Sequence, residues 1–170
     1  MTLTTVSIII ATVVYVAYNA ISLANFRVPQ SLSMTYYLWK DKANIGYLFP
    51  CMMYVVVACM MPAWISMSEG SDFQFLAFLA PASIAFVATA PAFLGSDLEN
   101  KVHSISAMIA AACSLLWVIL VTPYRWVILV WLAVVAVASY LTKTIKTAYI
   151  YWLETIAFGA TFTATIIYSL

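Results

Sequence analysis

Charge is what this chain has least of. Seven Lys and Arg, six Asp and Glu and one His among 170 residues leave it 8% charged and 66% hydrophobic, where a soluble domain carries about 25% charged residues. That scarcity excludes a water-soluble globular domain. A net charge of +1 gives no reason to expect nucleic acid as a partner. Only four glycines are present, none in a phosphate-cradling loop, and no serine sits in a nucleophile-elbow context. The three cysteines all lie in apolar stretches without C-x-x-C spacing, so they indicate no redox centre. No lysine falls mid-span to hold a retinal Schiff base, and the two halves share no evident repeat of the kind that builds inverted-repeat transporters. No cofactor is expected.

What is present is long apolar sequence. Six predominantly apolar stretches, approximately 5–25, 45–67, 73–94, 102–121, 124–141 and 149–169, match or approach the roughly 20 residues a helix needs to cross a hydrocarbon core. They occupy nearly the whole chain, which predicts an all-α, polytopic bundle of six transmembrane helices forming a single domain, 1–170. Barrel strands alternate apolar and polar residues, whereas "SIIIATVVYV" and "WVILVWLAVVAVA" are continuously apolar. In lipid such runs are helical, because a helix satisfies its own backbone. The boundary around Thr122 and Pro123 is the loosest of the set. The first run has no basic residue before Arg27, and a secretory leader begins with one, so it is read as a retained span.

Basic residues in short loops orient a membrane protein. Six spans put Arg27, Lys40, Lys42, Lys101, Lys143 and Lys146 on one side and Arg125 alone on the other. The expectation is N-out and C-out, in the cytoplasmic (inner) membrane. The longest connection, "FRVPQSLSMTYYLWKDK", mixes Tyr36, Tyr37 and Trp39 with cations, the composition of a headgroup interface. It reads as a connector lying on the membrane, with two alternatives: Ser31, Ser33 and Tyr36 fold back to cap a pocket, or Ser31 and Ser33 are an N-cap pair for a short surface helix.

Polar residues inside spans are expensive and face the bundle interior. In the last span Thr147, Tyr151, Glu154, Thr161, Thr165 and Tyr168 recur at helical steps, and Glu154 is the only ionisable carboxylate among them, roughly 8 Å from the cytoplasmic end at 1.5 Å per residue. Thr12, Tyr15, Asn19 and Ser22 make a similar stripe in the first span, so the two stripes are expected to face each other. Ser106, Ala110 and Ser114, four apart in span four, permit close helix approach. Pro50, Pro62, Pro81 and Pro91 interrupt spans two and three, where proline removes a backbone hydrogen bond and bends the helix. The segment "LGSDLENKVHS", residues 94–104, concentrates Asp97, Glu99, Lys101 and His103. Its charge suits a short cytoplasmic hairpin, while Asp97 and His103 at its junctions fall at the depth of Glu154, Asn19 and Tyr151. A carboxylate beside an imidazole would suit a proton relay or cation site.

"PQSLSMTYY" after the first span, "APAFLGSD" closing the third and "VHSISA" opening the fourth together resemble a pattern in uncharacterised bacterial six-span membrane proteins. Those proteins are distantly similar to the alkaline ceramidase and adiponectin receptor superfamily. The resemblance implies an intramembrane hydrolase with a Ser, an Asp and three His around zinc, for which Asp97, His103 and Ser31 or Ser33 are the available positions. One histidine does not supply a three-His site. In span two Met53, Met60 and Met67, with Cys59 alongside, form a stripe of soft ligands of the kind Cu(I) takes; methionine is also a flexible core filler, and packing is the preferred reading.

The favoured function is non-enzymatic: binding or translocation of a small solute, ion or lipid through a polar pocket near the cytoplasmic leaflet, with Glu154 as the ionisable centre and His103 as its partner. A lipid-directed intramembrane hydrolase and a structural subunit of a membrane complex are the alternatives. Expected partners are the lipid bilayer, a small-molecule or lipid ligand, and a second copy or a membrane-complex subunit.

Overall fold

The computed structural model describes residues 3–170. It contains seven α-helices: α1 Leu3–Phe26, α2 Thr35–Ala43, α3 Leu48–Met67, α4 Leu76–Thr89, α5 Asp97–Leu120, α6 Trp126–Thr142 and α7 Tyr149–Ser169. Four of them, α1, α3, α5 and α7, are long and apolar enough to cross a membrane, and α4 and α6 are shorter apolar helices of 14 and 17 residues. Each predicted apolar stretch thus overlaps one helix, but α5 begins at Asp97, so Asp97, Glu99 and Lys101 form its first turns rather than the expected hairpin, because Ser96 caps the helix there. The third stretch is cut short because α4 stops before Ala90 and Pro91: the backbone at Ala90 is non-helical (φ −111°, ψ 57°), and a following proline disfavours the helical region there.

Side-chain bonds fix the directions of the apolar helices, α1 running antiparallel to α7 because Tyr151 at the start of α7 reaches Asn19 late in α1 at 3.5 Å. Trp64 near the end of α3 donates its indole N–H to Thr165 near the end of α7, at 3.0 Å, and Trp117 near the end of α5 donates to Ser68 just beyond α3, at 2.7 Å. Tyr54, early in α3, meets Thr89 at the end of α4 at 2.9 Å. Hence α3, α5 and α7 run one way and α4 the other. Trp131 near the start of α6 donates to Thr163 near the end of α7, at 3.0 Å, so α6 is antiparallel to α7. Packing closes α1, α3, α4, α5 and α7 into a ring, while α6 is applied to α7. Connections 27–34, 90–96 and 143–148 therefore gather at one end of the bundle together with α2, and Arg125 lies at the other.

Local sequence explains the joints. Arg27, Asn44 and Lys143, with φ of 60°, 56° and 56°, end α1, α2 and α6 in the left-handed conformation that closes a helix. Ser96 caps α5, its Oγ accepting the Glu99 N–H at 3.2 Å while donating to the Glu99 carboxylate at 3.1 Å, a variant of the capping box. Gly46 lets α3 start against α2, since a Cβ there would stand 2.7 Å from the Tyr36 carbonyl oxygen. Gly159 does the same for α6, its Cα lying under the Trp131 ring, whose carbons would be 2.5–2.6 Å from a Cβ.

Polar residues in the apolar helices are mostly neutralised within their own helix. Thr12, Thr122, Thr155 and Thr165 each donate to the carbonyl four residues earlier, at 2.7–2.8 Å, and Ser114 does the same to Ala110. Such a bond removes most of the desolvation cost of a hydroxyl in lipid.

Candidate ligand cavity

Inside the ring the packing is incomplete. Ala107, Ala110 and Ala111 of α5 and Ala157 of α7 present only methyl groups to α3 and α4, and a cavity opens between the four helices. About 60 Å³ of it is open to the centre of a water-sized sphere, and one water needs roughly 10–15 Å³ by that measure, so the space holds several waters or a small organic molecule. Its wall is overwhelmingly apolar: Met53, Met60, Ile84, Val87, Phe158 and Phe162 supply much of it, and Pro81 of α4 faces it as well. Toward the chain termini it ends at Trp64, which stacks on Trp117 at 4.9 Å and 14°. Indoles buried this way require acceptors for their N–H groups, and Thr165 and Ser68 provide them.

Two polar side chains break the apolar wall besides Ser114, whose hydroxyl is bound to its own helix. Glu154 is half-buried and is the only ionisable group among the lining residues. Its Oε2 accepts the Leu32 N–H at 2.6 Å. Thr161 lies two turns further along the same face, about 10 Å away at 1.5 Å per residue. Its Oγ1 is the only buried side-chain nitrogen or oxygen among the described residues that has no hydrogen-bond partner, in contrast to the back-bonded threonines above.

The Glu154 contact is half of a clamp. The Tyr151 N–H, an otherwise unpaired donor in the first turn of α7, bonds to the Gln30 carbonyl at 3.1 Å, so residues 30–32 are held to α7 at two points. Residues 29–35 fold inward rather than lying on the surface: Ser31, Leu32, Ser33 and Thr35 are buried. This corrects the surface-connector reading. The physical reason is that Glu154 offers an acceptor at the helix entrance that only a folded-back backbone can reach. Ser31 and Ser33 are not the N-cap pair either. Position Met34 precedes α2 without a side-chain cap, and Ser31 Oγ instead accepts the Met34 N–H at 3.1 Å and pairs with Ser33 Oγ at 3.1 Å. Thr35 Oγ1 donates to the Leu32 carbonyl at 2.5 Å and meets Tyr18 of α1 at 2.6 Å; Trp39 donates to Ser22 at 3.0 Å. Tyr37 completes the lattice by accepting the Leu94 N–H at 2.8 Å, which ties α2 to the connection before α5. Tyr36 packs edge-on to Tyr37 at 5.1 Å.

His103 is engaged elsewhere. Its Nδ1 lies 2.9 Å from the Ala90 carbonyl, and because a carbonyl only accepts, the ring nitrogen donates. The ring stacks on Phe93 at 4.5 Å. His103 thus caps α4 where Pro91 ends it. Asp97 is exposed in the first turn of α5, where a carboxylate favours the positive helix end. Among the described residues no hydrogen bond joins Asp97, His103 and Glu154, and only Glu154 lines the cavity. Asn19 faces Tyr151, whose hydroxyl stands 3.5 Å from Asn19 Oδ1, and Tyr15 stacks on Phe158 at 4.7 Å. Of the stripe on α7, Thr147 falls in the turn before the helix and is exposed, as is Tyr168 at its far end.

The chain matches no family model, no curated protein and no solved structure. The resemblance to a zinc hydrolase superfamily is therefore weighed on the residues present, and they do not fit the metal. No group of three His, Cys, Asp or Glu stands close enough to hold an ion among the described residues, and His103 spends its Nδ1 on a carbonyl. The soft stripe divides: Met53 and Met60 line the cavity, whereas Met67 and Cys59 are partly buried against the core away from it.

The cavity also departs from the polar pocket expected near the cytoplasmic leaflet. Asn19, Ser22 and Tyr151 spend their polar groups on neighbours, leaving the interior apolar apart from Glu154, Thr161 and the back-bonded Ser114. Trp64, Trp117, Phe158 and Phe162 are functional candidates that sequence reasoning missed. The available signal was that two tryptophans in separate spans need acceptors, and that Thr165 and Ser68 were at hand.

Proposed function

We propose that the chain is a six-span integral membrane protein, N-out and C-out, that binds or translocates a small solute, ion or lipid, with the central cavity as the binding place. The alternating direction of α1, α3, α4, α5, α6 and α7 supports six crossings, and the cations gathered at the loop-bearing end support its placement in the cytoplasm. At 14 and 17 residues, α4 and α6 measure about 21 and 26 Å, short of a roughly 30 Å core. Apolar flanks such as Phe73, Phe75 and Leu94, all exposed, extend α4's reach, and local bilayer thinning absorbs the remainder.

The observation that carries the binding reading is the cavity itself, apolar, with an ionisable residue at one end and a hydroxyl without a partner deeper in. An empty apolar space forfeits dispersion contacts around its whole lining, and a ligand restores them. The test uses full-length protein in nanodiscs, labelled at methionine methyl carbons and titrated with benzene, a ligand of dry apolar cavities. Met53 and Met60 resonances should shift while that of Met108, exposed and off the cavity lining, does not, and Ala110→Phe should abolish the response. Unmoved Met53 and Met60 signals would sink the reading.

A further inference from the structure

Resting on the cavity reading above, we infer that the ligand class is a small lipophilic amine, bound with its ammonium at Glu154 and its apolar body along the α7 face toward Thr161. Three features select this chemistry. Glu154 has one carboxylate oxygen committed to Leu32, and its other oxygen has no hydrogen-bond partner among the described residues, although Glu154 lines the cavity. A carboxylate among apolar side chains is costly to hold unless a donor of opposite charge meets it. An ammonium meets it, whereas a carboxylate or phosphate ligand is repelled. The nearby walls agree. Phe158, one turn along α7 from Glu154, lines the cavity as well, and aromatic faces attract cations most strongly when both are desolvated. Thioethers of Met53 and Met60 supply soft, adaptable contact to an apolar body.

Length is set along α7. Seven residues separate Glu154 from Thr161, about 10 Å of helix rise, and Thr161 Oγ1 is buried without a partner. An occupant spanning that distance places its far end against the hydroxyl. Aromatic edges or a terminal acceptor on the ligand satisfy it; a plain alkyl terminus leaves it unsatisfied. No cation of the protein competes for Glu154, since all seven Lys and Arg lie outside the lining residues.

The experiment compares one skeleton with three head groups: 4-phenylbutylamine, 4-phenylbutanol and 4-phenylbutyrate. Each is titrated into methionine-labelled full-length protein, in nanodiscs of phosphatidylcholine so that no amine lipid with a free ammonium proton competes. The amine should bind at least tenfold tighter than the alcohol, with the carboxylate weakest. Glu154→Gln keeps an acceptor for Leu32 and should erase the amine's advantage while leaving alcohol binding within about twofold. Ala110→Phe should abolish binding of all three. Equal binding of amine and alcohol, or an amine preference that survives Glu154→Gln, overturns the amine assignment while Met53 and Met60 shifts still uphold the cavity. No Met53 or Met60 response to any of the three, nor to benzene, overturns both.

Discussion

Removing the Glu154 carboxylate should loosen one particular backbone amide. The Leu32 N–H donates to it at 2.6 Å, from a leucine that is 1% exposed, so neither water nor another acceptor replaces it without local opening. A hydrogen bond to a charged group contributes about 1.5–3 kcal/mol, against about 0.5–1.5 kcal/mol for a neutral one. Glu154→Leu should therefore speed hydrogen exchange at Leu32 by roughly 10- to 150-fold, at 1.4 kcal/mol per decade. Glu154→Gln, which retains a neutral acceptor, should speed it by roughly 5- to 10-fold. The Tyr151 amide, bonded to the Gln30 carbonyl, is a built-in control, because that half of the clamp uses backbone only. Its exchange should change by less than about threefold in either variant. The assay is residue-resolved hydrogen exchange in nanodiscs. Equal Leu32 exchange in wild type and Glu154→Leu would refute the clamp, and equal acceleration at Leu32 and Tyr151 would show general unfolding rather than loss of one bond.

Further outcomes follow from single contacts. Gly159→Ala puts a methyl 2.5–2.6 Å from three Trp131 ring carbons, where about 3.5–4.0 Å is normal. The ring must lift about 1 Å and lose Thr163, so overpacking and the lost bond should outweigh the helix propensity gained, a net loss of about 1–3 kcal/mol in denaturant unfolding; no loss should appear in a Trp131→Ala background. Thr161→Val exchanges an unpartnered buried hydroxyl for a methyl of the same shape and should stabilise the ligand-free protein by about 1 kcal/mol or more, read from the unfolding midpoint. Tyr37→Phe releases the Leu94 N–H and should raise exchange at Leu94 several-fold, because about 0.5–1.5 kcal/mol is lost, while leaving α7 amides unchanged. In a background with Cys51, Cys59 and Cys113 replaced, Lys42→Cys should resist an impermeant thiol reagent added outside intact cells and Arg125→Cys should react; the opposite pattern would invert the proposed orientation.

The long apolar helices were legible because charge marks their ends. Arg27, Asp41 and Asn44 bracket the first connection, and Glu69 and Asp72 the second, leaving little freedom in where α1 and α3 lie. What was not legible was the shape of residues 27–34. Pro29, Ser31 and Ser33 are consistent with a surface connector, a capped helix or a fold-back, and the choice is made by Glu154, 122 positions from Leu32. No local pattern encodes a bond of that separation. Glu154 itself was identifiable, as the one carboxylate in its polar stripe, but its partner was assigned to a side chain. A lone imidazole draws attention as a titratable group, whereas an amide proton of a leucine has no signature in sequence. His103 was claimed by a need that sequence does show in hindsight: Pro91 terminates α4 and leaves the Ala90 carbonyl without a helical donor.

The cavity was illegible for a different reason. Ala107, Ala110, Ala111 and Ala157 look the same whether they permit close packing or fail to fill a gap, and the Ser106, Ala110, Ser114 spacing on α5 was read as a close-approach face. Both can hold along one helix: Ala110 is buried on α5, which packs on α4 and α7, yet it also lines the cavity. Whether small residues join helices or leave space depends on the partner opposite. Here Trp64 of α3 stacks on Trp117 of α5 at one end of the cavity, a pair wider than any two alanines. Trp64 itself lines that end, so replacing Trp64 with a smaller apolar residue should enlarge or collapse the cavity. The Met53 and Met60 methyl resonances distinguish these results: collapse removes their response to benzene, and enlargement strengthens it. Either change makes the Trp64–Trp117 pair the determinant of the cavity's depth; an unchanged response in Trp64→Leu would assign that role to the helices themselves.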